Sequence, residues 1–134
     1  MPHILSPTPP LTLEGTYKGK AYKNAAGNTE CVEFIKQTLG APQTAAWREG
    51  TKFKKGTLIA PGTAIATFVN GKYPQAGNTG KHAAIYVGQN GAGIQVLDQW
   101  ASQGMVLPRT IFWIPRTPHP SPSNDSTAFS VIEW

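Results

Sequence analysis

The sequence predicts an α+β domain in which an early helix carrying a cysteine packs on a small antiparallel sheet. Three observations point there. Apolar residues recur at helical spacing only once in a strong form, in the segment Thr29–Leu39. After about residue 57 the spacing changes to short, nearly continuous apolar runs separated by Gly, Asn and Pro, as strands and turns require. The composition agrees: Gly and Pro number 14 and 12 while charged residues make up only 14%, a balance that disfavours a helical bundle.

Taken in order, residues 1–12 read as an extended arm, with four prolines in Met1–Pro10. Residues 13–134 read as one domain, a length at which a chain buries roughly two-thirds of its surface. Leu11–Tyr22 reads as a loop with a brief strand. A helix opens near Asn28 or Thr29, either of which can cap it, with Glu30 and Glu33 placed to meet the positive end of its dipole. Val32, Phe34, Ile35 and Leu39 give it an apolar side, and Gly40 followed by Pro42 ends it. Gln43–Arg48 reads as a short second helix. Strands are expected at Thr57–Ile59, Thr63–Val69, His82–Val87, Gly93–Leu97 and Met105–Ile114, with Gly88–Gly93 as a hairpin connection. Residues 115–126, rich in Pro and Ser, read as a surface loop, and 129–134 as a final strand. No internal repeat is visible.

Composition also narrows the function. A single cysteine leaves no intrachain disulfide and no cysteine zinc cluster, and the three histidines are scattered, so no metal or other cofactor is expected. No apolar run approaches the ~20 residues of a membrane span. The segment Met1–Pro7 lacks a basic region followed by an apolar one, so no signal peptide is expected. The net charge of +5 and a pI near 9.5 fit an anionic polymer partner, nucleic acid or cell wall, but also an ordinary solvated surface.

The chemistry centres on Cys31. A free thiol is mostly protonated at neutral pH, and it becomes a nucleophile where a helix N-terminus and an imidazole favour the thiolate. Cys31 lies in the predicted first helical turn. His82, at the start of an apolar strand, is framed to act as a general base. His3 lies in the arm and His119 in the Pro-rich loop, which makes them poor rivals. The run Val96-Leu97-Asp98-Gln99-Trp100 on the next strand offers a partner for the second ring nitrogen. Asp98 and Gln99 point to opposite faces of a regular strand, so only one can serve. The carboxylate is the stronger partner, and Gln99 is the alternative if a bulge shifts the register. For an oxyanion the backbone N–H of Cys31 is the natural donor, with Tyr22 and Asn28 as further candidates and Trp100 as a substrate contact.

The cysteine on a helix, followed by Gly80-Lys81-His82-Ala83-Ala84-Ile85-Tyr86-Val87-Gly88 and a polar residue on the next strand, resembles the CHAP/NlpC group of papain-like cysteine peptidases. Together with Gly62-Thr63-Ala64-Ile65-Ala66-Thr67-Phe68, it is similar to the small amidase effectors of type VI secretion systems. The likeness covers about Tyr17 to Ile114. In two places the chain departs from its relatives. CHAP domains commonly place Gln before the cysteine and NlpC sites favour Asp-Cys-Ser-Gly, whereas here the residues are Glu30-Cys31-Val32-Glu33. The resemblance implies hydrolysis of amide bonds in peptidoglycan stems or cross-links. It also implies export into a rival's periplasm and a cognate immunity protein. Two other readings compete: a thiol acyltransferase, and a non-catalytic basic module in which exposed Trp47 or Trp100 grips glycan or nucleic acid.

Overall fold

A computed structural model describes residues 2–6, 9–77, 80–115 and 121–134. His119 and part of the 115–126 segment lie outside them. The described chain forms two α-helices, α1 (Pro10–Tyr17) and α2 (Cys31–Leu39), and six strands. The strands are β1 (Arg48–Lys52), β2 (Ala64–Thr67), β3 (Ala83–Gln89), β4 (Gly93–Asp98), β5 (Leu107–Phe112) and β6 (Phe129–Glu133). They make one antiparallel sheet in the order β1-β6-β2-β3-β4-β5. The α+β expectation therefore holds.

Helix α2 forms as its sequence dictates. Phe34 and Ile35 are fully buried, Cys31, Val32 and Leu39 are half-buried beside them, and the helix packs on β3. Gly40 closes it in a left-handed conformation (φ 67°), its N–H bonding the Lys36 carbonyl at 3.0 Å. Its start differs from expectation. Neither Asn28 nor Thr29 caps it: the cap position is Glu30, which makes no capping bond, so Cys31 is the first helical residue.

The central strands are apolar on both sides because both faces of the sheet are covered. Ala83 and Ile85 of β3 face the helices with Ala64, Ala66, Leu97 and Ile132. Ala84 and Tyr86 face the second core with Ile65, Ile94, Val96, Ile111 and Phe129, closed by Phe53 and Ile59. This period-two sharing is why β2, β3 and β4 read as continuous apolar runs. The hairpin between β3 and β4 is built on Asn90, whose N–H bonds the Gly93 carbonyl and whose side chain accepts from Ala92. The C-terminal strand is central to the sheet: β6 lies between β1 and β2, pairing Val131 with Ile65 and Glu133 with Arg48.

Four local expectations are corrected. Pro10–Tyr17 is helical, not arm or strand: Pro10 suits the first turn, Leu13 is fully buried, and Tyr17 Oη donates to the Ser6 carbonyl at 2.8 Å. The preceding segment is not free either, since Leu5 is buried and Ile4 bridges Thr63. Thr44–Ala46 is a single 3-10 turn, and Thr57–Ile59 is irregular chain after a turn at Lys55-Gly56 that the Thr57 N–H closes onto the Lys54 carbonyl. β1 itself was not predicted, because an edge strand of sequence Arg-Glu-Gly-Thr-Lys carries no apolar alternation.

Candidate active site

Cys31, His82 and Asp98 meet at the junction of α2, β3 and β4. His82 precedes β3 and is held on both backbone sides: its N–H bonds Thr67 Oγ1 at 3.0 Å and its carbonyl accepts from the Thr67 N–H at 3.0 Å. The ring is 5% exposed, packed edge-on against Phe129 and Trp100. Its Nε2 lies 2.7 Å from Asp98 Oδ2, and Asp98 is fully buried. The other ring nitrogen, Nδ1, is thus left for the Cys31 thiol, which lines the same cleft and whose interaction with the ring lowers the thiol pKa and raises that of the ring. One imidazole therefore bridges a thiol and a carboxylate.

The electrostatics follow from that bridge. Burial works against a charged ring and is the largest single influence on His82. The bond to Asp98, then the bond and charge of Cys31, more than offset it and raise the pKa from 6.5 to about 9. Burial likewise opposes a thiolate at Cys31. His82, the backbone N–H of Ala83 and the Tyr73 hydroxyl together bring the thiol below its ordinary value. The site shifts the thiol toward thiolate and the ring toward imidazolium, assisted by the unpaired N–H groups of the helix start.

Asp98 and Gln99 do point apart, as strand geometry requires. Asp98 reaches the ring, whereas Gln99 faces the other way and does not serve as its partner. The fully buried Gln99 amide accepts from the Tyr22 N–H at 3.0 Å and donates to the carbonyls of Tyr22 and Glu30, both at 2.8 Å. It fastens the segment before α2 to the end of β4, and so fixes where Cys31 stands. Thr29 adds to this, its Oγ1 donating to the Trp100 carbonyl at 3.1 Å.

Tyr22 and Asn28 are absent from the cleft that holds the sulfur. The Tyr22 ring stacks on Phe34 at 5.3 Å, and Asn28 lies in a turn whose N–H bonds the Asn24 side chain. Trp47 is not an exposed gripping surface: it is 2% exposed, donates to the Pro42 carbonyl and packs on Tyr73. His3 is stacked on Trp134 at 3.4 Å. Trp100 does line the cleft, a cavity of about 640 Å³ shared with Cys31, His82, Tyr73, Lys36 and Lys81.

Two residues here escaped the sequence reading. Arg109 on β5 places Nε 2.9 Å and an Nη 2.8 Å from Asp98 Oδ2, lies over the Trp100 ring, and reaches Asn124 Oδ1 at 2.9 Å. Sulfur, imidazole, carboxylate and guanidinium form a row of alternating charge. Its sequence signal is register: Val96 pairs with Arg109 and Asp98 with Leu107, so Arg109 is the diagonal same-face neighbour of Asp98. Tyr73 follows a tight turn at Asn70-Gly71 (φ 53° and 79°), where Val69 and Lys72 exchange backbone bonds. Its hydroxyl lies 3.8 Å from Cys31 Sγ.

The family model for domesticated amidase effector 2 matches residues 9–132. A type VI secretion amidase effector 2 protein of Salmonella typhi is 45% identical over 71 residues, a match spanning 53% of each protein. The solved structure of a type 6 secretion amidase effector 2 (Tae2) superposes with a TM-score of 0.75 at 31% identity, covering 89% of both chains. With nearly its whole length matched by the family model and the fold shared, the chain belongs to the domesticated amidase effector 2 family.

Proposed function

We propose that this protein is a cysteine amidase that hydrolyses amide bonds in the peptide stems or cross-links of peptidoglycan, as an antibacterial effector. The observation that carries the reading is the single buried imidazole with a carboxylate on one nitrogen and the Cys31 thiol beside it in the same cleft. Family membership and the amidase names of the relatives supply the substrate class.

The chemistry follows from the charges. Cys31 Sγ, as thiolate, attacks the amide carbonyl carbon, and the electron pair of the C=O moves to oxygen. The N–H of Cys31, which has no partner within the helix, is placed to receive that oxyanion. The intermediate collapses, the C–N bond breaks, and His82 Nδ1 gives its proton to the departing amine. Asp98 holds the ring in orientation throughout. Water, deprotonated by the now neutral imidazole, then cleaves the thioester and returns the enzyme.

Export by a type VI system would bring the protein to a target cell's periplasm, and an immunity protein that plugs the Cys31 cleft would protect the producer. Among the described residues no helix is long and apolar enough to cross a membrane. Incubating purified sacculi with wild-type protein and with Cys31→Ala tests the assignment. Release of muropeptides by the wild type alone is expected, and equal release by both proteins contradicts it. Adding primary amines and searching for transfer products by mass spectrometry separates hydrolysis from acyl transfer.

A further inference from the structure

The helix start offers the developing oxyanion a backbone N–H, but the side-chain donor expected upstream, Tyr22, stacks its ring on Phe34 and does not line the cleft. We propose that the Tyr73 hydroxyl is a catalytic residue, the side-chain donor that binds the oxyanion formed at Cys31. The inference rests on the reading of Cys31 as nucleophile.

Geometry supports it in three ways. Tyr73 Oη stands 3.8 Å from Sγ and lines the same cleft. An oxyanion forms two bonds away from the attacking sulfur, so a donor at that distance can come within about 2.7–3.1 Å of it without moving the backbone. The ring is also fixed in advance: it is 3% exposed and is gripped edge-on by Trp47 at 5.1 Å and Phe68 at 6.5 Å. Among the described residues the hydroxyl has no partner other than the sulfur. A buried O–H aimed into a cleft with only a long contact to sulfur is a donor short of an acceptor, and the substrate oxyanion supplies one. Burial, reinforced by the nearby Cys31 charge, pushes the phenol pKa well above its usual value, so the group remains a donor throughout the working range.

The step balances without Tyr73 changing its protonation. Sulfur forms its bond to carbon, the carbonyl electron pair becomes the oxyanion, and the Tyr73 O–H donates a hydrogen bond to it. On collapse the pair returns, the C–N bond breaks, and the departing amine takes its proton from His82. Removing a donor that acts only in the transition state lowers kcat and leaves KM nearly unchanged.

The test compares two reactions of the same sulfur. Alkylation by iodoacetamide is a displacement with no oxyanion, whereas acylation by p-nitrophenyl acetate passes through one. Neither depends on the natural substrate, so failure here is separable from failure on sacculi. After subtraction of the Cys31→Ala background, Tyr73→Phe is expected to slow acylation on the order of 100-fold, and alkylation by less than a tenth of that factor. Equal loss in both reactions would make Tyr73 a support for the thiolate only, and no loss in either would remove it from the chemistry. Both results overturn the proposal. Should Tyr73→Phe fail to fold, 3-fluorotyrosine at position 73 keeps the hydroxyl and must retain the wild-type ratio of the two rates. A fall in that ratio would also refute it.

Discussion

Replacing Asp98 by Asn removes the one negative charge that faces both His82 and Arg109, while an amide oxygen can still accept from His82 Nε2 and the guanidinium. Asp98 supplies the largest influence raising His82, whose rise from 6.5 to about 9 is worth about 3 kcal/mol in favour of the protonated ring. Without the carboxylate the largest raising influence is gone, and against the same burial the ring holds its proton less firmly. The thiol then loses its imidazolium, and burial pushes it back toward or above its ordinary 9.0. At pH 7 that leaves a thiolate fraction of about 1%, so alkylation of Cys31 should slow by as much as about 100-fold. The assay is the rate of iodoacetamide labelling followed by intact mass between pH 5 and 10, with circular dichroism to establish folding. Wild type should show a plateau beginning below 9.0, and Asp98→Asn should reach its plateau only above it. Superimposable profiles would refute the claim that Asp98 sets the charge of the ring.

Two further predictions follow from the same geometry. The His82 ring should remain charged through pH 8 and lose its proton as pH rises through about 9. In Cys31→Ala that midpoint, read by NMR of the imidazole, should fall, because the sulfur's bond and charge both raise it; an unchanged midpoint would mean the two groups do not interact. Gln99→Leu should destabilise the fold by about 3 kcal/mol, since three part-buried bonds to Tyr22 and Glu30 are lost and their backbone groups are left unpaired. For a chain of this size that is a fall in Tm of roughly 10 °C, read by thermal melting; an unchanged Tm would show that the clasp is not what fixes the start of α2.

The parts of the fold that declare themselves locally were legible in the sequence. Helix α2 carries its apolar stripe and its Gly40 stop, and β3 with the Asn90 hairpin carries period-two burial on both faces. Asp98 could be ranked above Gln99 because adjacent strand residues must face opposite ways. What the sequence hid depends on contacts across the chain. Helix α1 has little amphipathic pattern and is anchored by one buried residue, Leu13, so its prolines and Gly15 outweighed its helical signal. Strand β1 is formed by pairing with β6 and not by any apolar alternation of its own. Tyr73 reaches the sulfur from 42 positions away and Arg109 reaches Asp98 from 11. Neither distance has a motif. The places of Tyr22 and Trp47 are hidden for the same reason, since an aromatic ring suits a core or a cleft equally well until its neighbours are known.

The most direct test of the account uses the chain's single thiol as its own probe. Protein titrated with iodoacetamide at pH 6, where an unperturbed thiol scarcely reacts, should lose muropeptide release from sacculi in strict proportion to the mass-labelled fraction of Cys31. Fully labelled protein that still digests sacculi would show that the sulfur is not the nucleophile.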